Sequence, residues 1–176
     1  IGDHIGVMQD GRLHQWDDAY TLYHRPATRF VADFIGHGVF TPATSREVDG
    51  EVVGEIEGPG LAILLAVTHS DGGDQVAWLS NKIAGLRIFE GELSLLELNA
   101  PALVVSQFTL YADVRKGRRP SWSAAAPGPV SEPLYERFCE ALEALGVRVA
   151  RGVFGADMAV SLVNDGPITL IVDTPT

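Results

Sequence analysis

The sequence predicts a β-rich α/β domain with two main helices, preceded by a small N-terminal hairpin-helix appendage. Three observations carry this. Short apolar runs bounded by Gly, Asp, Asn and Pro recur from Asp49 onward, the texture of strands joined by turns. Two stretches instead repeat apolar residues at helical spacing: Val76, Leu79, Ile83 and Leu86, then Leu134, Phe138, Ala141, Leu142 and Leu145. The strands alternate unevenly with these helices, which points to an α/β or α+β architecture rather than an all-β or bundle fold.

The elements follow in order. Ile5–Met8 and Leu13–Trp16 flank Asp10-Gly11, a strong hairpin signal. Asp17 or Asp18 can cap a short helix that Pro26 interrupts, and residues 27–35 read as helical until Gly36 and Gly38. Residues 37–48 have no clear period, so a boundary is placed there, giving segments 1–44 and 45–176. E-V-V-G-E-I and L-A-I-L-L-A-V, joined by G-P-G, read as a strand pair with the second strand buried on both faces. Asp71-Gly72-Gly73-Asp74 can supply the cap of the first main helix. Residues 102–111 read as one long strand. The second main helix is expected to start after Ser131 with Pro133 in its first turn, and to stop at Gly146. Val147–Ala150 is a further apolar run, and Val160–Val163 and Ile168–Ile171 read as paired strands.

Composition narrows the function. With 46% hydrophobic and 20% charged residues in 176, the chain can build a core. A net charge of −10 argues against DNA binding, yet one dense basic run, Arg115-Lys116-Gly117-Arg118-Arg119, could still meet phosphate. The bland alternative for that run is a solvated loop. No apolar stretch is long enough for a membrane-spanning helix. A single cysteine, Cys139, excludes an internal disulfide and fits a cytoplasmic protein. The chain opens on Ile1 rather than Met, which leaves room for a start further upstream.

Much familiar chemistry is absent. The histidines at 4, 14, 24, 37 and 69 have no zinc-ligand spacing, so no metal is expected, and no cofactor. There is no phosphate-cradling G-x-x-x-x-G-K-[ST] loop and no G-x-S-x-G elbow. His69 reads as a turn residue and Cys139 as a packing residue, since nothing nearby would activate its thiol.

Two polar islands interrupt apolar runs: Ser106-Gln107-Phe108-Thr109 and Asn164-Asp165-Gly166-Pro167-Ile168-Thr169. Buried polar groups are costly unless partnered. Each island alone is compatible with a bulge, but two in one short domain point to a site. A cis X-Pro bond would project two successive carbonyls to one side, and the preceding glycine would let a ligand approach the backbone. Such a pair could hold an amino group.

S-Q-F-T-L at 106–110 and N-D-G-P-I-T at 164–169 resemble the two signature motifs of the D-aminoacyl-tRNA deacylases. The resemblance runs from about Val48 to Thr176 and includes D-G-E-V-V-G-E-I, R-K-G-R-R-P-S-W and F-G-A-D-M-A-V-S-L-V-N-D-G-P. It implies a deacylase-type sheet or barrel, a homodimer with the active site at the subunit interface, and hydrolysis of the ester joining a D-amino acid to tRNA. Thr109, Gln107, Ser106 and Phe108 would form the catalytic group. Gly166 and Pro167 of one subunit would enter the partner's pocket as a chiral gate, with Asn164, Thr169 and Met158 completing the substrate site. Arg115, Lys116, Arg118 and Arg119 would bind the tRNA. Glycyl esters have no side chain for the gate to exclude, so glycyl-tRNA is a possible second substrate. The sequence departs from the family ahead of D-G-E-V-V, where T-P-A-T-S-R-E-V replaces a strand and an arginine-bearing turn and would leave a sheet edge unpaired; Arg46 is not equated with the family's arginine.

Residues 1 to about 40 resemble the stretch closing the nucleotide-binding domain of importer-type ABC transporter ATPases, without any phosphate-binding motif. Segment 1–44 is therefore expected to be a non-functional fragment. Two other readings stay open: a catalytically impaired RNA-binding relic of the deacylase fold, and a remnant of a transporter ATPase.

Overall fold

The computed structural model describes residues 5–9, 12–17, 43–47, 51–164 and 168–175. The chain forms two compact units, Ile1–Phe40 with Asn164–Ile171, and Thr41–Val163 with Val172–Thr176. In the first unit, β1 (Ile5–Gln9) and β2 (Arg12–Asp17) make an antiparallel hairpin with an irregularity between Val7 and Met8. The helix expected over 27–35 lies outside the described residues.

The second unit holds two three-stranded sheets. One has the order β4-β3-β8, with β3 (Ala43–Glu47) antiparallel to both β4 (Val52–Ile56) and β8 (Met158–Ser161). The other has the order β5-β6-β7, all parallel, from β5 (Leu61–Leu65), β6 (Ala102–Ser106) and β7 (Val149–Arg151). Three helices complete it: α1 (Gly73–Gly85), α2 (Leu95–Leu98) and α3 (Gly128–Ala144).

Leu103 and Val105 of β6 pack with Ile56 of β4, joined by the half-buried Ala150, Met158 and Val160. This is the core between the sheets. β6 alternates its side chains, so Ala102 and Val104 point to the opposite face, and every residue from Ala102 to Val105 is buried. Tyr135 of α3 ties the helix to that sheet, donating its phenol to the Val104 carbonyl at 2.9 Å. Burial raises the Tyr135 pKa, keeping the donor proton in place. Cys139, also on α3, is fully buried, and its thiol is pushed up to about 11 by desolvation, as a packing residue requires.

Several local expectations are corrected. Residues 43–47 form the central strand of a sheet. The lack of period in T-S-R-E had hidden it, because pairing on both sides, not side-chain alternation, defines this strand. The edge expected to be unpaired is thereby filled. β4 and β5 are not partners: the chain crosses between sheets at 57–60, where Gly58 has φ +73° and Gly60 has no room for a Cβ beside the Pro101 carbonyl. β5 buries only one face, that of Ile63 and Leu65; Leu64 on the other face is exposed. The loop 71–74 supplies the cap of α1 as expected, through Gly72, while the Asp71 carboxylate accepts the Thr68 amide at 2.8 Å.

α3 starts at Gly128, earlier than expected, because Pro127-Gly128-Pro129 already sets a helical first turn. Ser131 lies inside it and donates to the Pro127 carbonyl at 3.1 Å. Its end is as read: Gly146 at φ +97° lets its own amide reach Glu143 and the Val147 amide reach Leu142. Ile168–Ile171 is in no strand, and Ile171 is 92% exposed.

Candidate active site

The carboxyl ends of parallel strands are where α/β sheets present ligand sites. At that end of β6 the polar island begins. The expected long strand stops at Ser106, and Phe108–Tyr111 turns into a short 3₁₀ helix with Gln107 as its N-cap. The Gln107 amide still bonds the Leu65 carbonyl of β5 at 2.7 Å, so the turn is pinned to the sheet. Its carbonyl accepts the Leu110 amide at 3.2 Å. Phe108 and Thr109 are the first two residues of the turn, and their amides have no acceptor within it. The Gln107 carboxamide donates to the Thr109 hydroxyl at 2.5 Å. That fixes the hydroxyl oxygen but offers no general base; an amide cannot take a proton at neutral pH. Ser106, Gln107 and Thr109 are half-buried, whereas Phe108 is 55% exposed.

Phe108 meets Trp122 edge to face, with ring centroids 5.5 Å apart. The segment bearing Trp122 is anchored behind β5. The Thr68 hydroxyl donates to the Ala124 carbonyl at 2.6 Å, the Ala126 amide to Val67 at 2.8 Å, and the His69 Nε2 lies 3.0 Å from the Ser123 carbonyl. His69 is thus the turn residue the sequence suggested. Tyr111 closes the 3₁₀ turn; burial, then the charges of Asp71 and Asp173, raise its pKa.

The basic run forms the tip of a hairpin-like loop closed by Asp113 and Ser121, whose backbones exchange hydrogen bonds at 2.8 and 2.9 Å. Its four cations are not equivalent. Arg115 is held by Asp113 through Nε at 2.9 Å and a terminal nitrogen at 2.8 Å, and its amide donates to the same carboxylate at 3.0 Å. Those bonds keep the Asp113 carboxyl below its ordinary range. Lys116, Arg118 and Arg119 are exposed, and no ion pair among the described residues involves them. The sequence missed this division, although D-V-R at 113–115 was a legible signal for a local carboxylate–guanidinium turn.

Met158 lies on β8 and packs against the core between the sheets. Asn164 and Thr169 are exposed, and the Asn164 amide donates to the Thr169 hydroxyl at 2.8 Å. That bond spans the motif between them, whose Asp165, Gly166 and Pro167 lie outside the described residues.

The fold is mixed α/β, with a polar turn at the carboxyl end of a parallel strand, and comparison with known proteins places it in a family. A family model described as D-Tyr-tRNA(Tyr) deacylase matches residues 42–173. This chain belongs to that family. A D-aminoacyl-tRNA deacylase of Micrococcus luteus is 62% identical over 132 residues, covering 75% of this chain and 88% of the relative. One of Thermobifida fusca is 58% identical over 145 residues, covering 82% and 99%. Among solved structures, a c-Myc DNA unwinding element binding protein superposes with a TM-score of 0.71 at 33% identity, covering 78% of this chain and 96% of its own. A probable eukaryotic D-amino acid tRNA deacylase shares the fold, with a TM-score of 0.62 at 17% identity, over 73% of this chain and 92% of its own. The resemblance of residues 1–40 to a transporter ATPase gains no support from these matches.

Proposed function

We propose that this chain hydrolyses the ester bond of D-aminoacyl-tRNA, releasing the D-amino acid and tRNA, as a cytoplasmic proofreading enzyme. The observation that carries the reading is the turn after β6, where the amides of Phe108 and Thr109, without an acceptor among the described residues, sit beside a hydroxyl fixed by Gln107. Two amides pointing from one turn are suited to the oxyanion that forms when water attacks an ester carbonyl. Thr109 and Gln107 orient the ester, and Ser106 fixes where the turn begins. With no base beside Thr109, the hydroxyl of the tRNA's own terminal ribose is the group that assists the water.

Chirality is assigned to Gly166-Pro167, on the sequence motif alone. Carbonyls of that pair would grip the α-ammonium with the Cα hydrogen against the wall, so that an L side chain would collide and a D side chain would point away. Glycyl-tRNA carries neither side chain and would pass. Met158 would back the pocket from the core side of β8, and the Asn164–Thr169 bond would brace the motif's two ends. A homodimer supplying the gate across its interface is supported by the exposed Ile168, Leu170 and Ile171 that follow the motif, since a second copy would cover such apolar side chains.

Thr109→Ala tests the assigned roles. Loss of one orienting hydrogen bond is expected to slow D-tyrosyl-tRNA hydrolysis about tenfold, with substrate binding retained. Complete loss of turnover with binding intact would instead make Thr109 the nucleophile. Segment 1–44 has no part in this chemistry as read. The grouping of Asn164–Ile171 with Ile1–Phe40 makes removal of residues 1–40 informative. Hydrolysis by the shortened chain is expected to match the full chain, and its abolition would give the segment a role.

A further inference from the structure

The candidate active site lies at the carboxyl end of β6, and a separate cleft opens at the amino end of the same strand. β4 and β7 are edge strands of their two sheets. They meet at Gly54, where a Cβ would come within 2.5 Å of the Arg151 carbonyl oxygen. Beyond that contact they border a cleft of about 360 Å³, lined by Glu55, Ile56 and Glu57, by Arg148 and Val149, and by Pro101. Small-molecule sites begin at about this size, near 300 Å³. Six residues of extended chain at about 3.3 Å each put roughly 20 Å between Pro101 and Gln107, so the cleft is no part of the turn after β6.

The cleft holds both signs of charge, and they do not neutralise one another. Glu55, Glu57 and Arg148 are exposed, and no ion pair among the described residues involves any of them. The Arg148 guanidinium reaches the Asn99 carbonyl at 3.4 Å, a long bond that leaves most of its five donors unused. A bare cation would meet the two carboxylates but also the guanidinium. Among the described residues no group of three His, Cys, Asp or Glu side chains could hold a metal. A bare anion would meet one guanidinium against two carboxylates. One molecule that carries an ammonium and a carboxylate answers both signs with charge-assisted hydrogen bonds. The buried Ile56 and Pro101 and the half-buried Val149 suit an aliphatic side chain on that molecule. The cleft is bordered by only a few residues of each strand and ends at the Gly54–Arg151 contact, so both charges belong to one small molecule rather than to the distant ends of a peptide.

We propose that the cleft between β4 and β7 binds a free aliphatic amino acid, with Arg148 on its carboxylate and Glu55 and Glu57 on its ammonium. The occupant bridges the two sheets and stabilises the folded chain by mass action. This goes beyond the deacylase reading and does not rest on it, although a free amino acid is what that hydrolysis would release.

The experiment locates the ligand as well as its affinity. The full chain, labelled with ¹⁵N, is titrated with L-leucine and separately with D-leucine, and the backbone amide shifts are followed. Saturable shifts at Glu55, Glu57, Val149 and Ala150 with either hand are expected, with a Kd of about 1 mM or tighter. Leucinamide, which lacks the carboxylate, and 4-methylpentanoate, which lacks the ammonium, should each bind about tenfold or more weakly. Arg148→Ala should weaken leucine binding by a similar factor, as should Glu55→Gln combined with Glu57→Gln, with unfolding midpoints showing that the variants fold. Absence of saturable shifts at the cleft would overturn the proposal whatever the variants do. Shifts confined to Phe108 and Thr109 would also overturn it, since leucine would then occupy the site already described. So would equal binding of leucine and either analogue, or unchanged affinity in Arg148→Ala. Cleft binding in a chain that hydrolyses no D-aminoacyl ester would uphold this site and remove only the deacylase reading.

Discussion

Gly54→Ala is expected to lower the unfolding free energy by about 1–3 kcal/mol, the usual range for overpacking a filled core. A Cβ at Gly54 would sit 2.5 Å from the Arg151 carbonyl oxygen and 3.1 Å from Leu103 Cδ1. The first of these neighbours is backbone and cannot rotate away, so β4 must move off β6 and β7. The same face holds Ile56, Leu103 and Val105, and β6 carries the site turn at its end. Urea titration of Gly54→Ala against Gly85→Ala isolates the cause. Gly85 ends α1 with open space at its Cβ position, so alanine there should be neutral or stabilise by up to ~1 kcal/mol. Equal stability of Gly54→Ala and the wild type would show that the two sheets do not pack as described.

Replacing Lys116, Arg118 and Arg119 together by alanine is expected to weaken tRNA binding strongly and to change its salt dependence. A phosphate that no longer meets a cation keeps its condensed counterion when the complex forms. The slope of log affinity against log salt should therefore become shallower by about 2 to 3. Arg115→Ala should leave that slope close to the wild type, because Asp113 already neutralises Arg115. If the triple variant kept the wild-type slope, or if Arg115→Ala alone reproduced the triple's effect, the division of the basic run would be wrong. The chain's net charge of −10 makes the experiment discriminating, since no other dense basic run is available to compensate.

The legible parts of the fold were those where local pattern and tertiary role agree. The apolar stripes of α1 and α3 and the Gly146 stop are set within a few residues. The misread parts depend on partners far along the chain. T-S-R-E carries no strand pattern, and β3 exists because β4 and β8 bracket it. E-V-V-G-E-I and L-A-I-L-L look like a hairpin, yet the close approaches at Gly54 and Gly60 place them in different sheets.

The site was legible as residue types but not as geometry. Ser106-Gln107-Phe108-Thr109 stood out because polar residues broke an apolar run. Their conversion into a 3₁₀ turn could not be read from the letters, since Phe-Thr-Leu-Tyr is strand-favouring on its own. Trp122 was one letter in a surface connection until its partner Phe108 was placed beside it. The Ser94-Leu95-Leu96-Glu97 capping box that starts α2 is fully encoded in the local sequence; Glu97 accepts the Ser94 amide at 2.8 Å.

The central claim is stereochemical hydrolysis of an aminoacyl-tRNA ester. The direct measurement compares release of tyrosine from D-tyrosyl-tRNA and L-tyrosyl-tRNA by the full chain under identical conditions. Rapid loss of the D ester with the L ester spared is the predicted result. Decay of both esters at the buffer rate, in a chain shown to be folded, would contradict the account and leave an RNA-binding relic of the fold.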